Sequence, residues 1–67
     1  MKLKILIHPA DEGGFWVEIP ALRGCVSQGE TLEEALLNIQ EAAVGWLEVA
    51  TELALRGTTA QVAEIQL

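Results

Sequence analysis

At 67 residues the chain makes one domain at most, and a domain of this size buries only ~60% of the surface that its unfolded chain exposes. One cysteine excludes an internal disulfide, and one histidine with one cysteine cannot close a zinc site, so the usual staples of small domains are missing. A net charge of −6 excludes the basic surface that nucleic-acid binding needs, while 51% hydrophobic residues leave apolar surface for a second subunit.

These limits predict a homo-oligomer, a dimer or tetramer, that makes no direct nucleic-acid contact and holds no cofactor or metal. A lone thiol, no export signal and no run near the ~20 apolar residues of a membrane span point to the cytoplasm. The charge is uneven. Residues 31–67 set Arg56 against six glutamates and carry −5 of the total. Such a surface attracts a basic protein.

Residues 2–8, KLKILIH, alternate with Leu3, Ile5 and Ile7 on one face, the period of a half-buried strand. PADEGG, residues 9–14, is dense in turn formers, and FWVEI, residues 15–19, alternates again. Together they read as a hairpin. Pro20 lacks the donor that a central strand needs, so the second strand ends near Ile19. After the punctuation PALRG, residues 25–29 (CVSQG) read as a short third strand.

Thr31 followed three residues later by Glu34 is a capping box, with Thr31 accepting from the Glu34 N–H and Glu34 reaching back to Thr31. Glu30, Glu33 and Glu34 put negative charge at the positive end of the helix dipole. Leu32, Leu36, Ile39, Ala43, Trp46 and Ala50 then form an apolar stripe, widened by Ala35, Ala42, Leu47 and Leu53. Glu34, Asn38, Glu41, Gly45, Glu48 and Glu52 run along the opposite side. Arg56 and Gly57 mark the C-terminal end. AQVAEIQL, residues 60–67, alternates once more and reads as a last strand. The expected class is α+β: two layers in the order β-β-β-α-β, a mainly antiparallel sheet with one face covered by one long helix.

Few residues suggest chemistry. His8 reads as a solvated strand-end histidine, since catalysis requires an orienting partner close by. Cys25 reads as a small packed hydrophobe, because Arg23 alone is thin support for a lowered thiol pKa. Glu34, Glu41 and Glu48 recur every seven residues and make a solvated or partner-docking face. Trp16 points away from the Phe15–Val17–Ile19 side, and Leu37 and Val44 fall off the main helix stripe. Trp16, Glu18, Leu22, Arg23, Leu37 and Val44 are therefore the candidate partner or oligomer interface. The chain reads as a binding protein and not as an enzyme.

The stretch GFWVEIPALRGCVSQGETLEEALLNIQEAA resembles the core of the HicB-like antitoxin family. The motif positions are Phe15–Pro20, Leu22, Gly24 and Cys25, Gly29–Thr31, Glu33, Glu34 and Ala35, Asn38, and Glu41–Ala42. The resemblance covers roughly residues 1–57 and implies a partial RNase H-like fold without nuclease residues. It also implies a partner, a small basic HicA-type ribonuclease toxin whose active site the antitoxin masks. Ala21 and Arg23 depart from the family's turn, which has an acidic residue and a proline there. Many members continue into a DNA-binding domain. This sequence reads as a single domain over residues 1–67 without one. The alternative is an orphan homo-oligomeric interaction module with no toxin.

Overall fold

A computed structural model describes all 67 residues. Three strands and one helix follow one another: β1 (Leu6–Pro9), β2 (Phe15–Glu18), β3 (Val26–Gly29) and α1 (Leu32–Leu55). The sheet is antiparallel in the order β1-β2-β3. The α+β class and the two-layer packing are as the periodicities predict.

The alternation of β2 sets the layers. Val17 is fully buried against the helix, and Trp16 points to the opposite face, 38% exposed. Val17, Ile19, Leu22 and Cys25 from the sheet side meet Ala35, Ile39 and Ala43 of α1 in one small core. Ile5, Phe15, Ala42 and Trp46 close its rim. Burying a valine or isoleucine is worth about 1.5–3 kcal/mol, so Val17 and Ile39, both wholly enclosed, are its anchors.

Local chemistry explains the boundaries. The Ile19 N–H donates to the Cys25 carbonyl at 3.1 Å, and Pro20 has no donor, so β2 closes at Glu18. With nothing left to pair, β1 begins at Leu6 and not at Lys2, although Ile5 still packs on the core. The turn back to β3 is tied by Leu22 N–H to Ile19 O at 3.0 Å and Cys25 N–H to Leu22 O at 2.9 Å. Gly24 supplies its positive φ of 81°. Gly29 lies so close to α1 that a Cβ there would collide with the Ala35 backbone.

Thr31 caps α1 as expected, its Oγ accepting from the Glu34 N–H at 3.1 Å. The Glu34 carboxylate accepts from the Glu30 N–H instead of that of Thr31, at 3.4 Å. Arg56 is the C-cap and holds a long, exposed contact to Glu52 at 3.4 Å.

The helix sits off-centre. It packs on β3 and, less, on β2, and does not approach β1. Asn38, expected on the solvent side, therefore leans over the β3 edge and donates to the Gln28 carbonyl at 2.8 Å. Trp46 Nε1 likewise donates to the Arg23 carbonyl at 2.9 Å. A 24-residue helix is about 36 Å long and four-residue strands about 13 Å, so α1 outruns the sheet. The stripe is buried only where the sheet lies beneath it. Ile39, Trp46 and Leu53 share one heptad position, yet they pass from fully buried through half-buried to 57% exposed. Leu32 and Leu47 are exposed as well.

The expected last strand is not formed. Residues 60–67 are exposed, and past the Arg56 cap the only bonds are Thr58 N–H to Leu55 O and Ala60 N–H to Thr58 Oγ. The segment leaves from the far end of α1, away from either sheet edge. Asn38 occupies part of the β3 edge.

Candidate functional site

The register of β1 and β2 puts His8 opposite Trp16 and Leu6 opposite Glu18. All four share the sheet face away from the helix with Val26 and Gln28 of β3. The His8 and Trp16 rings stack at 3.9 Å with an interplanar angle of 15°. His8 Nε2 and Glu18 Oε2 are 2.9 Å apart. His8 is thus not a merely solvated strand end. It is half-buried between an aromatic ring and a carboxylate. Both side chains keep about a third of their surface in water, 37% and 31%, so the pair contributes under about 1 kcal/mol. Its effect is to hold the His8 ring against Trp16 on a mixed face that Leu6, Val26 and Gln28 share.

The remaining interface candidates are scattered. Leu37 and Val44 project from the outer side of α1 and are exposed. Leu22 belongs to the core at 8% exposure and holds the turn instead of offering surface. Arg23 is exposed, and its carbonyl is taken by Trp46. Trp16 and Glu18 share one face of the sheet, and Leu37 and Val44 share the outer side of α1.

Among the motif positions, Gly24, Cys25, Gly29, Thr31, Glu34, Ala35 and Asn38 all carry structure: turn, core, close approach, cap or sheet edge. Pro20 opens the turn after β2. Cys25 is a free, buried thiol, as its reading as a packed hydrophobe anticipates.

Two concave surfaces escape a reading by element. Pairing of Phe15 with Gly29 brings the β1–β2 turn beside the start of α1. Asp11, Glu12, Glu30 and Glu34 then line one cleft around Phe15 and Asn38, and no lysine or arginine lines it. The acidic turn and the acidic cap were each visible; their meeting depended on the hairpin register. The second is an apolar groove of about 480 Å³ under the latter half of α1. Gly24, Cys25 and Val26 form one wall, and Gly45, Val49 and Leu53 lie on the other. No cluster of three or more histidine, cysteine or acidic side chains is placed to hold a metal, and no helix is long and apolar enough to cross a membrane.

Comparison with known proteins adds a consistent picture. Residues 3–66 match the model of the HicB-like antitoxins of bacterial toxin-antitoxin systems. A UPF0150 protein of Synechocystis is 45% identical over all of this chain and 94% of its own length. One of Thermoplasma acidophilum is 44% identical over 72% of this chain and 70% of its own. One of Helicobacter pylori is 59% identical over 48% of this chain and 44% of its own. No solved structure matches.

Proposed function

This chain belongs to the HicB-like antitoxin family, and from that premise we propose that it binds and occludes a small basic ribonuclease toxin of the HicA type. The family supports an antitoxin role in general. The observation that supports a basic partner is the cleft lined by Asp11, Glu12, Glu30 and Glu34 without a cation. It continues onto a helix carrying Glu33, Glu41, Glu48 and Glu52. Opposite charge steers the encounter, and apolar contact around Trp16, with Glu18 beside it, holds the complex. On this reading the protein is a non-enzymatic, cytoplasmic domain over residues 1–67 that works without touching nucleic acid.

The test is capture of the tagged chain at low salt from its own cells, with the captured proteins weighed. A stoichiometric small basic protein that leaves at high salt and cleaves RNA when freed is the expected result. Its absence overturns the toxin reading.

A second reading is an orphan homo-oligomeric module with no toxin. One observation favours self-association under either reading. A compact 7.2 kDa monomer exposes about 4,100 Å², whereas this chain exposes 5823 Å². We assign the difference to a homo-oligomer interface, in a dimer or tetramer.

A further inference from the structure

We propose that residues 60–67 of one copy seat in the apolar groove under the overhanging half of α1 in a second copy, and that this exchange, made reciprocally, joins the protomers. The inference rests on the homo-oligomer part of the reading above and names its interface.

The groove shows what it lacks. Ala35, Ala42 and Val49 form one seven-residue series on α1, and Ile39, Trp46 and Leu53 form another. The first members of each lie on the core, while Val49 and Leu53 point the same way over nothing and are 55% and 57% exposed. A helix face of this kind is completed only by something placed beneath it.

Gly45 adds a second sign. Glycine is among the least favoured residues in a helix interior. Nothing in its own chain requires one, since a Cβ at Gly45 meets no atom within 4 Å. It lines the groove, where a missing side chain lets another backbone come close.

The chain itself supplies a fitting occupant. Extended, residues 60–67 put Ala63, Ile65 and Leu67 on one side and Val62, Glu64 and Gln66 on the other. All eight are exposed, and none of them lines the groove of its own chain. The groove is lined by uncharged residues alone, and the arm has a single charged side chain, Glu64. Two copies of net charge −6 thus meet where repulsion is least. The Asn38 bond to Gln28 covers the far part of the β3 edge, so the arm lies in the groove and does not extend the whole sheet.

An extended eight-residue arm exposes about 1,200 Å². Two reciprocal arms thus bring on the order of 2,400 Å² of their own surface to the contact, against the ~1,600 Å² in total that a standard interface buries. Reciprocal exchange is a closed two-fold arrangement.

Sedimentation equilibrium of the full chain with Gly45→Leu and Ile65→Asp tests the proposal. Both sites are exposed in the single chain, so circular dichroism of the variants should match the original. Each is expected to weaken association at least tenfold. An original chain that sediments as a monomer throughout the micromolar range removes the homo-oligomer reading and this proposal with it. An associating original chain with both variants unweakened overturns the arm's seat alone. Cysteines placed by Val49→Cys with Ile65→Cys or Leu67→Cys, in a Cys25→Ala background, decide the occupant. Mild oxidation is expected to give covalent dimers that require the arm cysteine. Linkage within one chain, or none with either pair, overturns the proposal.

Discussion

Trp46 reaches across 23 residues to donate its indole N–H to the Arg23 carbonyl at 2.9 Å. Two turns earlier on the same side of α1, Asn38 donates to the Gln28 carbonyl at 2.8 Å. The pair stitches the helix to the third strand and to the turn that precedes it, and so fixes the off-centre seat from which the overhang follows.

Replacing Trp46 by Phe keeps the ring and removes the bond. A loss of about 1 kcal/mol is expected, read as a lower urea midpoint at fixed protein concentration. Asn38→Ala should cost a similar amount. An unchanged midpoint for both would show that the stitches contribute nothing.

Gly29 and Gly45 make opposite predictions. Gly29→Ala drives a methyl into the Ala35 backbone, so a loss of roughly 2 kcal/mol or more is expected, as for an overpacked core site. Gly45→Ala meets open space and should raise the stability of the dilute, dissociated chain by up to about 1 kcal/mol. Thermal unfolding of the two beside the original chain checks the signs.

The N-terminal cap gives a third test. Thr31→Ala removes the acceptor for the Glu34 N–H and should cost about 1 kcal/mol. Thr31→Ser should restore most of it. Equal loss in both would assign the effect to the threonine methyl group.

The His8–Glu18 pair bears on how Trp16 is presented. A double-mutant cycle with His8→Ala and Glu18→Gln should return a coupling below about 1 kcal/mol, as half-exposed pairs do. The histidine change should nevertheless alter Trp16 fluorescence, because the stacked ring departs. Unaltered emission from the chain carrying Trp46→Phe would separate the stack from the tryptophan's environment.

What the residues reveal by themselves follows the range of the interactions. Thr31 and Glu34 are legible because a cap acts over three residues, and Phe15–Glu18 because alternation is a property of the strand itself. Cys25 reads correctly as core because Arg23 alone is thin support for a reactive thiol. Asn38 does not, because a helical projection centred on the apolar stripe cannot show that α1 sits over one edge of the sheet. The start of β1 depends on where β2 ends, and the pairing of Leu6 with Glu18 is a matter of register that the alternation of residues 2–8 does not carry. Residues 60–67 carry the period of a strand, but period says nothing about which backbone, or whose, a strand would pair with. The acidic cleft is legible in halves, as a turn and a cap, and joins only through the hairpin register.

Each element here touches its neighbour in sequence: β1 with β2, β2 with β3, and β3 with α1. Contacts so local make for quick folding, because little chain entropy is lost before each contact forms. The protomer can therefore complete its core before it meets another molecule, in a first-order step whose rate ignores concentration. On the proposed exchange, the second copy that covers the exposed half of α1 arrives afterwards, in a second-order step that dilution slows. Stopped-flow refolding at two protein concentrations would separate the two, and the protomer between them is the species open to capture by a partner.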